Sequence, residues 1–151
     1  MKLVVGSDEK TYLTERVCAE LSKRGHALEL VGPLCDEPLN WVQVAQAVAE
    51  RVAAGRAEEG ILFCWTGTGV SLAANKVPGI RAALCHDAET ARGARLWNRA
   101  NVLCMSLRAT SEAVAQEILD AWFNTPLGTD PSDLLAVEQV EQIEAKYSKT
   151  R

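Results

Sequence analysis

The residues with the greatest capacity for chemistry stand in one stretch, Cys64, Trp65, Thr66, Gly67, Thr68, Gly69, Val70 and Ser71. Glycines at 67 and 69 let the chain turn tightly, so that successive backbone N–H groups converge on one anion. That anion is either a phosphate or a developing enolate oxygen. A thiolate beside such a pocket serves as base or nucleophile. Spacing removes three familiar alternatives. A phosphate-loop lysine would follow the second glycine, but Val70 stands there. A cysteine phosphatase loop needs an arginine six residues after its cysteine, and that position is again Val70. A dinucleotide site needs a glycine triad after the first strand, which Gly6-Ser7-Asp8-Glu9 does not supply. Proton transfer next to an oxyanion pocket remains, against the plain alternative that Cys64 is a core thiol.

The elements that must hold this stretch follow from the apolar pattern. Residues 61–64 are an apolar run suited to a strand buried on both faces, and 71–76 has helix-forming composition. Cys64 is therefore expected at the carboxyl end of a central strand, facing a helix N-terminus. Open α/β sheets bind ligands there, and a thiol's pKa is lowered there. Further strands are expected at 2–5, 27–31, 80–85 and 101–105. Helices are expected at 11–24, 41–54, 87–97 and 111–123, with a loop over 32–38, Asp87 and Ser111 as N-caps and Gly25 as a stop. Five strand–helix repeats imply a five-stranded parallel sheet covered on both faces by right-handed crossovers, an α/β architecture in a single domain spanning 1–151. A C-terminal helix at about 132–147 carries Leu134, Val137, Val140, Ile143 and Tyr147 in register, with no strand left to pair with it. It is expected to pack on a partner subunit.

Composition narrows the partners. The chain has 151 residues, 48% hydrophobic and 24% charged, with a net charge of -4. That charge, without Lys/Arg runs, argues against nucleic acid or an anionic membrane as partner. No apolar run approaches the roughly 20 residues of a membrane span, and the first six residues are too short for a signal-peptide core, so a cytoplasmic location is expected. The five cysteines are odd in number and lie in apolar segments, which fits reduced thiols. Four of them, Cys18, Cys35, Cys85 and Cys104, read as small core residues. With no CxxC pair and no His/Cys cluster, neither a metal nor a cofactor is expected.

The run Cys64-x-Thr-Gly-x-Gly-x-Ser-x-x-Ala-Asn-Lys76, with Ile80-Arg-Ala-Ala after it, resembles the type B ribose-5-phosphate isomerase family, which includes the galactose-6-phosphate isomerase subunits. Gly6-x-Asp8, Asn98-x-x-Asn101-Val-Leu and Arg108 support the match, which covers the core from Met1 to about Phe123. The resemblance implies a flavodoxin-like or Rossmann-like α/β/α sandwich and metal-free aldose–ketose isomerisation of a small sugar or sugar phosphate. It also implies a homodimer with active sites shared between subunits; pairing into tetramers stays open. By the same resemblance Cys64 is the base that moves a proton between C1 and C2, and the N–H groups of Trp65 to Gly69, with Thr68 and Ser71 in the same turn, hold the enediolate. Thr66 falls at a ring-opening position, Asp8 at one that contacts sugar hydroxyls, Asn98 at one near substrate oxygens, and Arg108 at one that contacts phosphate.

Departures from the family pattern concern recognition. Glu9 stands where the family usually has histidine, Trp41 lies in the place of an Asp-Tyr-Pro stretch, and Trp97 replaces the histidine of a His-Asn pair contributed by the neighbouring subunit. Trp65 replaces a glycine, and 126–136 contains no His, Arg or Lys. The expectation is a substrate that differs from ribose 5-phosphate in size or phosphorylation. Trp41, Trp65 and Trp97 would form an apolar platform for sugar C–H faces. With Arg108 but without the family's other cations, the distal pocket is less hospitable to a phosphate dianion unless Lys10, Arg92, Arg95 or Arg99 supplies charge from a new direction. His86, after the fourth strand, is a candidate proton shuttle, whereas Arg81 and Lys76 read as residues that bridge subunits or satisfy loop carbonyls. An epimerase or other enediolate enzyme on the same scaffold, or a catalytically silent sugar-binding or regulatory subunit, are the other outcomes these residues allow.

Overall fold

The computed structural model describes residues 1–148. The order of elements is β1 (Lys2–Ser7), α1 (Tyr12–Lys23), β2 (Ala27–Val31), a 3-10 turn (Gly32–Cys35), α2 (Trp41–Ala53), β3 (Glu59–Cys64), α3 (Thr68–Ala74), β4 (Ala82–Leu84), α4 (Ala88–Asn98), β5 (Val102–Ser106), α5 (Glu112–Asn124) and α6 (Pro131–Ser148). Every strand pair is parallel, and the sheet order is β2-β1-β3-β5-β4. The three central strands are buried almost throughout, while β2 and β4 at the edges are only partly covered.

Alternation along the strands divides the core into two layers. Leu3, Val5, Ile61, Phe63, Leu103 and Met105 face α1, α4 and α5, and Val4, Leu62, Cys64, Val102 and Cys104 face α2 and α3. The expected α/β/α sandwich is therefore present. Its last two strands are interchanged relative to chain order: β3 skips a position to reach β4, and β5 returns to fill the gap.

Helix starts follow local chemistry. Thr11 and Asn40 each form a capping box, and Asp87 and Ser111 accept the N–H groups of Thr90 and Val114. Two expected boundaries shift. The fourth strand is Ala82–Leu84 rather than 80–85, because Asn75 and Asn101 side chains take up the backbone around Arg81 and Ala82. Helix α3 begins at Thr68, directly after Gly67, rather than at 71. Cys35 also departs from expectation: it is exposed, its thiol donating to the Gly32 carbonyl at 3.3 Å, because it ends a surface turn. No described helix is long and apolar enough to cross a membrane.

Candidate active site

The chain passes from β1 outward to β2 and then back across to β3, so the sheet changes direction between β1 and β3. At such a switch point the loops leave the carboxyl ends of adjacent strands on opposite sides and open a crevice. Ser7 pairs in register with Phe63, which brings Asp8 alongside Cys64 at the mouth of that crevice. Cys64 is the last residue of β3, and its side chain belongs to the layer under α2 and α3. It is 6% exposed.

The turn after Cys64 is held by β5. The Cys64 carbonyl accepts the Leu107 N–H at 2.9 Å, and the Trp65 carbonyl accepts both the Arg108 N–H at 3.0 Å and Ser106 Oγ at 2.9 Å. With its carbonyls turned toward β5, the turn leads into Gly67, which adopts the left-handed conformation (φ 77°) and caps α3 with no side-chain bond. A Cβ at Gly67 would meet Leu84 Cδ1 at 2.5 Å and the Met105 backbone at 3.0 Å, so both conformation and space require glycine. The first N–H groups of a helix have no partner within it. Here those of Thr68, Gly69 and Val70 join the turn. Thr66 Oγ1 and Thr68 Oγ1 lie 2.7 Å apart, and Ser71 Oγ donates to the Thr68 carbonyl at 2.8 Å.

Other residues cluster at the same end. Asp8 is half-buried, and desolvation raises its carboxyl above the ordinary range; its own backbone N–H opposes this and Glu9 adds to it. Glu9 is exposed, and Ser7 Oγ fixes its backbone by donating to the Glu9 carbonyl at 2.6 Å. Trp41, the first residue of α2, packs its ring on Gly69. Arg108 is exposed and its guanidinium has no partner among the described residues. His86 follows β4 on the same edge, but β5 separates β4 from β3, about 10 Å across two strand spacings.

Two expected site residues, Trp97 and Asn98, lie far from the Cys64 of their own chain, as the resemblance to a pair contributed by the neighbouring subunit implies. Helix α4 runs back along the sheet, and its end is tied to the opposite edge by Arg95, which bonds Glu59, the first residue of β3, at 2.8 Å. Trp97 and Asn98 follow directly, so they stand at the amino ends of the strands. The length of β3, about 17 Å, separates them from Cys64 of the same chain. No ring contact joins Trp41, Trp65 and Trp97 among the described residues, and with Trp97 at the far end of the strands a platform of the three would need Trp97 of a second copy. Apart from Arg108, the cations considered for a phosphate are occupied. Arg92 pairs with Glu89, Arg95 with Glu59, Arg99 donates to the Gly128 carbonyl at 2.6 Å, and Lys10 lies 4.0 Å from Glu15. Arg81 satisfies a loop carbonyl, that of Arg99, at 3.0 Å.

Asn75 and Asn101, which stand out in the sequence only as parts of the motif, have structural tasks. The Asn75 amide bonds both N–H and C=O of Ala82, as a neighbouring strand would. Asn101 bridges the Arg81 N–H and the Gly79 carbonyl. Their part in the motif is architectural. Among the described residues no group of three or more His, Cys, Asp or Glu gathers for a metal ion.

Residues 3–140 match the Ribose/Galactose Isomerase family. The chain belongs to that family. It is a sugar-phosphate isomerase of the aldose–ketose class. Among its relatives, D-erythrulose-4-phosphate isomerase 2 of Mycolicibacterium smegmatis is 36% identical over 142 residues, spanning 91% of this chain and 92% of that protein. Ribose-5-phosphate isomerase B of Escherichia coli is 34% identical over 144 residues, spanning 93% and 97%. The solved structure of ribose-5-phosphate isomerase B from Clostridium thermocellum superposes with a TM-score of 0.90 at 35% identity, covering 97% of this isomerase and 99% of that chain.

Proposed function

We propose that this isomerase interconverts an open-chain aldose phosphate and its ketose through an enediolate, with Cys64 as the base. The Cys64 thiolate takes the proton from C2 of the aldose, and the electron pair of the broken C–H bond moves onto the C1 carbonyl as an enediolate. The thiol then returns the proton to C1, while the hydroxyl proton at O2 is transferred to O1, restoring a carbonyl at C2 and leaving a neutral hydroxyl at C1. The backbone N–H groups from Trp65 to Gly69 hold the negative oxygen at each stage. Thr66, paired with Thr68, relays the proton that opens the sugar ring. Asp8 orients the hydroxyls, with Glu9 beside it, and Arg108 holds the phosphate.

The observation that carries this reading is the joining of Cys64, at the end of a buried strand, to an uncapped helix start through a left-handed glycine. A shared site in a homodimer is part of the proposal. The far-end position of Trp97 and Asn98 supports it, since only a second copy can bring them to a Cys64 crevice. The exposed Leu135, Val140, Ile143 and Tyr147 of α6 support it as well. The chain's relatives are named for four-, five- and six-carbon sugar phosphates, so an open-chain sugar phosphate in that size range is the substrate class.

The test is proton exchange in deuterated buffer, followed by NMR at C1 and C2 of a panel of aldose and ketose phosphates. Cys64→Ala should lower exchange by about 100- to 10,000-fold, the usual contribution of a positioned base. Exchange that survives this substitution would remove Cys64 from the mechanism.

A further inference from the structure

Trp41 opens α2 directly behind the N-cap Asn40. The Asn40 side chain accepts the Gln43 N–H at 3.0 Å, and the Gln43 side chain accepts the Asn40 N–H at 3.0 Å. This reciprocal cap fixes the first helical residue and with it the direction in which the Trp41 side chain departs. The indole lies flat against the anion turn. A Cβ at Gly69 would sit 2.9 Å from Trp41 Cε3, 3.1 Å from Cδ2 and 3.2 Å from Cζ3. Only glycine lets the six-membered part of the ring approach that closely. Trp41 remains 42% exposed, so one side of the indole covers the second residue of α3 while the rest faces the open carboxyl end of the sheet. A rigid aromatic ring in that position borders the approach to the anion turn.

We propose that Trp41 is the specificity-determining residue of the sugar site: its indole limits the length of sugar that fits over the anion turn and selects four-carbon over five- and six-carbon sugar phosphates. The proposal rests on the reading that Cys64 and its turn are where the proton moves. With C1 and C2 held there, the remaining carbons and the phosphate must extend from the turn. Arg108, whose guanidinium has no partner among the described residues, has its backbone N–H bonded to the Trp65 carbonyl at 3.0 Å, so its backbone runs directly beside the turn. Residues 126–136 offer no His, Arg or Lys to hold a phosphate further out. A phosphate held close to the reacting carbons suits a short chain, and the indole occupies space that a longer one needs. Each added CHOH unit must displace the ring or draw C1 and C2 away from Cys64. A misfit of one methylene against an apolar wall is worth about 10- to 200-fold in discrimination.

The experiment compares kcat/KM for D-erythrose 4-phosphate, D-ribose 5-phosphate and D-allose 6-phosphate in the full-length wild type, Trp41→Phe, Trp41→Ala and Cys64→Ala. Wild type should favour the four-carbon substrate. Trp41→Ala should move the five-to-four-carbon ratio at least about tenfold toward the longer sugar, with Trp41→Phe between. Should Trp41→Ala not fold by circular dichroism, the Trp41→Phe ratio decides alone. A wild type that prefers ribose 5-phosphate, or a ratio within about twofold of wild type in the Trp41 variants, overturns the proposal while Cys64 dependence leaves the mechanism standing. Absence of Cys64-dependent turnover on all three sugars overturns the mechanism and the proposal together.

Discussion

At the amino end of the sheet, Glu59 and Arg95 form a buried ion pair whose energetics can be predicted from its surroundings. The two side chains are 10% and 9% exposed and bond at 2.8 Å. Glu59 Oε2 also accepts Trp122 Nε1–H at 2.6 Å, Arg95 Nη1 donates to the Ala100 carbonyl at 2.7 Å, and the guanidinium carbon sits 4.8 Å above the Trp122 ring. Arg95 Nε is buried without a partner, so the cation is incompletely satisfied even when paired. Removing either charge strands the other where water cannot reach it. Arg95→Met should therefore cost about 3–5 kcal/mol. Glu59→Gln should cost about 2–4 kcal/mol, somewhat less because an amide oxygen can still accept from Trp122. The double variant contains no buried charge, and only modest polar mismatches remain, at the Ala100 carbonyl and at the amide introduced by Glu59→Gln, about 1–2 kcal/mol. The cycle should accordingly return a coupling of about 3 kcal/mol or more. Urea unfolding of the four proteins measures it, at one fixed protein concentration because assembly shifts apparent stability. A double variant whose loss equals the sum of the singles within about 0.5 kcal/mol would refute the description of Glu59 and Arg95 as a coupled buried unit.

The Gly67→Ala variant should lose about 2–5 kcal/mol, from left-handed strain and from a Cβ pressed on Leu84 and the Met105 backbone. Its sugar proton exchange should fall at least about tenfold because the anion turn must shift. Gly55→Ala, also left-handed (φ 72°) but with nothing within 4 Å of a new Cβ, should lose only about 1–2 kcal/mol and keep its activity; similar outcomes for both would count against a role for the space around Gly67. Burial pushes the Cys85 thiol up to about 12 and the Cys18 thiol up to about 11 from 9.0, with nearby carboxylates adding to both. The folded state thus holds these protons more tightly than the unfolded chain. Their contribution is fully present below pH 9 and is lost as pH rises toward 11 and 12, with a slope of up to about 1.4 kcal/mol per pH unit for each thiol. Urea midpoints from about pH 8 to 11 should decline accordingly and decline less steeply in Cys85→Ala; identical slopes would contradict the assignment.

How much of this was legible in the chain depended on the range of the interaction. The capped starts at Asp87 and Ser111 and the apolar run ending at Cys64 are set by neighbours within a few residues, and the expected elements agree with the structure there. Edges were harder. Strand β4 is short because Asn75 and Asn101 occupy its backbone, a bond pattern that leaves no mark in local periodicity. Sites assembled from distant segments were harder still. Trp97 and Asn98 carry the right residue types for a sugar site, and only the return path of α4 shows that about 17 Å separates them from their own Cys64, a distance that the resemblance, and no local pattern, anticipated.

The sequence by itself determined the alternation of strands and helices, the glycine turn after Cys64 and the exclusion of nucleotide and phosphatase loops. Each depends on residue type, short spacing and backbone freedom. Only the tertiary structure decided the β2-β1-β3-β5-β4 order, the pairing that sets Asp8 beside Cys64, the seat of Trp41 on Gly69 and the burial of Glu59 with Arg95 and Trp122. Those depend on which surfaces meet once the chain is packed. Contacts of that kind are selected by shape and by the cost of burying charge, and neither is written in the spacing of a single segment.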